Sequence, residues 1–225
     1  MAPDKTALRD AATIIVLRRD DVPSVLMGQR GAGAAFMPSK FVFPGGAVDP
    51  VDHRVPVKVP VAEATALAAD SVLPPTALAA AAIRELWEET GQIIGAPGPW
   101  TDPPQGWRGY AATGHVPDAA RLRYFFRAIT PQGRPRRFDA RFFLADAADL
   151  MTDPDDFGRA EDELSLLQWV PLAQARTFDL PFIAEVVLAE LVAHVANPAA
   201  PLTVPFFRND DEAHLVSRLN GARLI

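Results

Sequence analysis

The sequence predicts an α/β domain, and three stretches carry that expectation. Residues 12–17, Ala-Thr-Ile-Ile-Val-Leu, form a β-branched run of strand length. Residues 76–91 are rich in Ala, Leu and Glu, all strong helix formers, and close on Gly91. Residues 181–196 repeat apolar side chains at helical spacing, and strand-like runs lie between the two helices.

Taken in order, the first strand ends at Arg18-Arg-Asp-Asp21, a turn signal, and Val25-Leu-Met27 reads as its hairpin partner. The loop Arg30-Gly-Ala-Gly-Ala-Ala-Phe36-Met-Pro38 leads to a short strand at Phe41-Val-Phe43, which Pro44-Gly45-Gly46 breaks. Residues 49–75 differ in character. Pro56, Pro60, Pro74 and Pro75 surround an Ala-rich stretch from Val61 to Ala69 with room for a short helix, so the segment reads as an insertion. Thr76 is the expected N-cap of the long helix and Gly91 its stop. Beyond it, Pro117–Phe126 is expected as a short helix and Phe138–Ala145 as a strand. Asp153–Glu163 is expected as an acidic loop, Leu166–Val170 as a strand and Pro181–Ala196 as an amphipathic helix. The domain is expected over residues 1–200, followed by a tail over 201–225 whose role the sequence does not reveal.

With 225 residues, 49% of them apolar, the chain can bury a core without staples. It has no cysteine, which excludes a thiol nucleophile, a disulfide framework and a thiolate metal site. A net charge of −6 argues against a broad nucleic-acid-binding face, although a local arginine cluster can still meet an anionic small molecule. The apolar run from Ala11 to Leu17 is too short to span a membrane and lacks the flanks of a signal peptide. A soluble, cytoplasmic protein is the expectation. His53, His115, His194 and His214 pair at no metal-binding spacing, so a zinc site or a Ser-His-Asp hydrolase has no support.

On the long helix, Ala79, Ala82, Ile83, Leu86 and Thr90 share one face, and Glu85, Glu88 and Glu89 fall on the other. Like charges at that spacing destabilise an isolated helix by ~0.2–0.5 kcal/mol per pair. Arg84 relieves part of this through its i+4 neighbour Glu88, and a hard divalent cation such as Mg²⁺ or Mn²⁺ would relieve more. Spacing alone fits a solvated acidic face equally well. Phe43-Pro-Gly-Gly46 favours the cation, because glycines let backbone carbonyls approach it closely.

At these residues the chain resembles the Nudix family, whose box runs G-x5-E-x7-R-E-U-x-E-E-x-G-U, with U aliphatic. Arg84-Glu85-Leu86-Trp87-Glu88-Glu89-Thr90-Gly91 matches its second half and Gly46 its opening glycine. Gly46 and Arg84 lie 38 positions apart where the box has 14, so about 24 residues are inserted. Counted back from Arg84, the first glutamate position is Thr76; its role is either dispensable or met by Asp49, Asp52 or Glu63. Gln92 stands where the box ends in an aliphatic residue. The insertion, Arg30-Gly…Ala35-Phe-Met-Pro38, and Thr130-Pro131…Arg136-Arg-Phe-Asp-Ala-Arg-Phe-Phe143 resemble a long-insert branch that includes a mammalian peroxisomal coenzyme A diphosphatase.

The resemblance implies a three-layer α/β/α sandwich with a mixed central sheet, and a diphosphatase that needs Mg²⁺ or Mn²⁺. It implies Glu85, Glu88, Glu89 and the Gly45 carbonyl as metal ligands, with Arg84 orienting the glutamates. Glu163 is the candidate remote ligand or base. Arg30, Arg137 and Arg141 are candidates for substrate phosphates, although Arg137 and Arg141 fit a charged strand edge equally well. Trp107, Tyr110, Tyr124 and Phe126 could stack on a base, but aromatic side chains more often lie in the core. The implied substrate is a small nucleotide-like molecule, coenzyme A or an acyl derivative first, with ADP-ribose, NADH and dinucleoside polyphosphates as rivals. A non-catalytic nucleotide sensor is the alternative from another class. The insertion and residues 98–130 are expected near the substrate mouth. A homodimer stays an open option that no apolar stripe in the sequence demands.

Overall fold

β1 (Leu8–Arg18) is the spine of the molecule. In the computed structural model, which describes residues 7–34, 36–58, 60–69, 71–210 and 213–218, it pairs along ten residues with β8 (Arg137–Asp146), in parallel. On its other side its C-terminal end pairs antiparallel with β2 (Ser24–Arg30), and Ala11–Thr13 pairs with β4 (Gly45–Ala47). β3 (Phe41–Val42) and β9 (Leu164–Pro171) both pair with β2. β7 (Arg123–Ile129) lies antiparallel to β8, and β10 (Pro205–Asp210) runs parallel to β7 with β11 (Ala213–Arg218) outside it. The sheet is therefore mixed. A separate hairpin joins β5 (Gly95–Pro97) to β6 (His115–Pro117).

Both faces of the sheet are covered, which explains why β1 reads as a continuous apolar run rather than an alternating one. Ala12, Ile14 and Val16 join Leu26, Phe143 and Ala145 under α2 (Pro75–Thr90). Ile15 and Leu17 join Val25, Met27, Phe142 and Leu144 under α4 (Phe182–Ala196). This is the expected three-layer arrangement. α1 (Ala64–Ala69), the residues around it and α3 (Arg108–Ala111) add cover outside α2. There Val55, Val61, Leu67, Trp107 and Tyr110 are buried with Leu78 and Leu86. Ala77 through Leu86 are consequently all buried, and α2 has no wet face along that length.

Three local expectations are corrected. α2 starts at Pro75 with Pro74 as its N-cap and no side-chain cap, so Thr76 lies inside the helix. Proline suits that first position because its missing N–H is not needed there. Pro117–Phe126 is not a helix: β6 ends at Pro117 and β7 begins at Arg123. Residues 205–210 and 213–218, predicted as part of a tail, are strands that extend the sheet beyond β7. Gly91 ends α2 as expected, in the left-handed region at φ 74°. Among the described residues, no helix is long and apolar enough to cross a membrane.

Candidate active site

The C-terminal half of α2 faces β4, and two glycines set how closely they approach. A Cβ on Gly46 would lie 2.4–2.6 Å from the carboxylate atoms of Glu85, and one on Gly45 would lie 2.7 Å from the Ala12 carbonyl oxygen. Only a residue without a side chain lets strand and carboxylate meet there. Gly45 N donates to Glu89 Oε2 at 2.7 Å, tying the strand to the helix one turn beyond Glu85.

Arg84 organises the neighbouring carboxylates. Its Nη1 donates to Glu85 Oε1 and to Glu88 Oε2, both at 2.8 Å. Its Nε and Nη2 form a two-pronged pair with Asp52 at 3.0 Å each, and Nη2 also reaches the Ala47 carbonyl at 3.0 Å. All five N–H donors of the guanidinium are thus used. Burial alone would lower its pKa, but the Asp52 hydrogen bond and the Glu85, Asp52 and Glu88 charges outweigh that and raise it.

Asp52 is equally saturated. Besides Arg84 it accepts from Asp49 N at 2.9 Å and from Trp107 Nε1 at 3.3 Å. It lies six positions after Gly46, with the five intervening residues the box prescribes, so counting forward from the glycine reaches it, whereas counting back from Arg84 reaches Thr76. The other two candidates are engaged elsewhere. Asp49 is exposed and contributes its backbone, and Glu63 accepts from Arg123 and from Tyr124 N.

The glutamates are not a solvated face: Glu85 is 8% exposed and Glu89 1%. Burial pushes the Glu85 carboxyl up to about 7 and raises Glu88, and burial with the nearby Glu85 charge raises Glu89 well above the carboxylate range. Among the described residues no three acidic or imidazole groups stand ready as a closed metal cage. Arg84 holds one oxygen of Glu85 and one of Glu88, and Gly45 N holds one of Glu89. Glu85 Oε2, Glu88 Oε1 and Glu89 Oε1 keep no such donor, and Glu89 Oε1 is buried without one. Hard oxygen donors of this kind fit Mg²⁺ or Mn²⁺.

These shifts fix the sign of a pH effect. Between about pH 4.5 and 7, folded Glu85 keeps a proton that the unfolded chain has released, so metal-free stability falls as pH rises through that window. Glu89 extends the fall upward. The melting temperature of metal-free protein is expected to drop between about pH 5 and pH 8, with Mg²⁺ restoring it at pH 8 and changing little at pH 5. Differential scanning fluorimetry checks both; equal Mg²⁺ effects at the two pH values would contradict the assignment.

Two further predicted residues join this cluster. Glu163, whose side chain is 56% exposed, accepts from Arg30 Nη2 at 3.0 Å, and its charge bears on both Glu85 and Glu89. Arg30 Nε is buried with no hydrogen-bond partner. The structure does not bring Arg137 or Arg141 there. Arg137 donates to the Thr130 and Pro131 carbonyls at the start of β8. Arg141 is buried under an ion pair with Asp10 and Asp139, beside the Arg127–Asp139 pair. The parallel register of β1 on β8 places Asp10 level with Asp139, so the basic strand is neutralised from within. Trp107, Tyr110, Tyr124 and Phe126 are core residues, and His194 packs edge-on against Phe125.

A Caenorhabditis elegans protein that carries the name nudix hydrolase 7 is 28% identical over 185 residues, covering 72% of this chain. The chain spans about half of that relative's length, 51%. The crystal structure of a NUDIX hydrolase from Alicyclobacillus acidocaldarius superposes with a TM-score of 0.59 at 26% identity, covering 85% of this chain and 97% of that one. The pattern of the NUDIX domain matches residues 7–191, and the chain belongs to the NUDIX family.

Proposed function

We propose that the chain is a divalent-cation-dependent hydrolase that cuts a diphosphate linkage in a small nucleotide-like molecule. The observation that carries this reading is the set of three glutamate oxygens left without a donor beside Gly45, one of them fully buried. Such an arrangement is unfavourable in isolation and favourable around a cation. Glu85, Glu88, Glu89 and the Gly45 carbonyl would hold Mg²⁺ or Mn²⁺, which when bound acidifies water and offsets charge on phosphate oxygens.

The chain's own residues supply the rest. Arg84 is buried and fully bonded, so it orients Glu85 and Glu88 and does not meet substrate. Arg30, with an unpartnered Nε, binds a phosphate oxygen. Water attacks one phosphorus, the bond from that phosphorus to the bridging oxygen breaks, and Glu163 accepts the water's proton. By resemblance to the long-insert branch, the leading substrate is coenzyme A or an acyl derivative, cut to 3′,5′-ADP and a phosphopantetheine fragment.

The test is a panel of coenzyme A, acetyl-coenzyme A, ADP-ribose, NADH and diadenosine polyphosphates with Mg²⁺ or Mn²⁺. Products are resolved by chromatography, and Glu88→Gln is run beside wild type. Highest kcat/KM on coenzyme A or its acyl forms, lost in Glu88→Gln, is the expected result. Preference for ADP-ribose or NADH would overturn the substrate, and ligand binding without cleavage across the panel would make the protein a sensor.

A further inference from the structure

Gln92 departs from the aliphatic residue that ends the family's box, and its surroundings show what the amide does. It is completely buried just after the left-handed Gly91. Its Nε2 donates to the carbonyls of Asp153 at 3.1 Å and Asp156 at 2.8 Å, and its Oε1 accepts from Thr152 Oγ1 at 2.5 Å. Both amide N–H donors and the amide oxygen are therefore used, all on one segment. A leucine there would fill the volume and leave two carbonyls and a hydroxyl without their partner.

That segment is the acidic loop leading to Glu163. Further ties run to the end of α2 and the residues just after it: Met151 N donates to the Ile93 carbonyl and Glu161 N to the Glu88 carbonyl, both at 2.8 Å, and Ile93 N donates to Thr152 Oγ1 at 3.3 Å. The middle of the segment is also held from the sheet, where Trp169 Nε1 donates to the Pro154 carbonyl at 3.0 Å and Arg18 Nη2 to Asp155 at 2.8 Å. The Glu161 bond sits two residues before Glu163 and lands on a glutamate of the site. We infer that Gln92 is a positioning residue, clamping residues 151–163 onto the end of α2 and so setting where Glu163 stands relative to Glu85 and Glu89. Its bearing on catalysis rests on the hydrolase reading above, whereas its hold on the loop does not.

The experiment compares wild type, Gln92→Leu, Thr152→Val and Thr152→Ser by amide hydrogen exchange and steady-state kinetics. Gln92→Leu and Thr152→Val are expected to speed exchange in residues 151–163 by about tenfold or more while β1 and β8 stay protected. With the best substrate of the panel, kcat is expected to fall about tenfold with KM little changed, as for a group that acts only in the transition state. Thr152→Ser, which keeps the hydroxyl, is expected to restore both. If Gln92→Leu fails to fold, the threonine pair decides. Unchanged exchange in the loop overturns the clamp. Faster exchange with kcat and KM unchanged overturns the link to Glu163. A wild type inactive on every diphosphate, whose loop still loosens in the variants, keeps the clamp and removes the hydrolase reading instead.

Discussion

Asp52→Ala is expected to cost about 3–5 kcal/mol of stability, because it strands the buried guanidinium of Arg84 against only part of its charge complement. For a domain of this size that corresponds to a fall in melting temperature of roughly 6–20 °C. Asp52 accepts four hydrogen bonds and is the partner that Arg84 meets with two prongs. Without it, Arg84 is free to turn toward Glu85 and Glu88 and compete more strongly for the oxygens a cation needs. Turnover is therefore expected to fall even below the new melting temperature. Asp52→Asn, which keeps shape and one acceptor, should lie between the two. A melting temperature within a degree or two of wild type for Asp52→Ala would show that the Arg84 network adds nothing to the fold.

Glu89→Gln is expected to behave in the opposite way, removing activity while sparing structure. The glutamine oxygen can still accept from Gly45 N, but the negative charge at the most buried of the three glutamates is gone. A loss of about a thousandfold or more in kcat is expected, in keeping with the size of electrostatic terms at such sites. Because burial already opposes the charge on Glu89, the metal-free variant should melt at least as high as wild type at about pH 9. Melting curves and initial rates measured on the same preparation check both halves. Retained turnover would remove Glu89 from the site.

These two residues also mark how far the sequence could be read. α2 was legible because Ala and Leu dominate it and Gly91 stops it, and the three glutamates share its C-terminal half. Their burial was not legible. The layer that covers α2 comes from residues 49–75 and 98–122, whose docking depends on Asp52, Trp107 and Tyr110, far apart in sequence. Residues 117–126 misread as a helix because Ala, Leu and Arg favour one locally, while pairing of β7 with β8 decides the outcome. Arg141 looked like a phosphate ligand because only the register between β1 and β8, a non-local fact, brings Asp10 alongside it. Gln92 stood out as a departure from the box, but its partners are sixty residues downstream and no local pattern names them.

The most direct test of the central claim is turnover of the best diphosphate substrate by chelator-treated protein, before and after Mg²⁺ or Mn²⁺ is returned, with Glu88→Gln run alongside. Cleavage that is absent without metal, restored with it and missing in Glu88→Gln is the predicted result. Cleavage that persists without metal, or that Glu88→Gln retains in full, would contradict it.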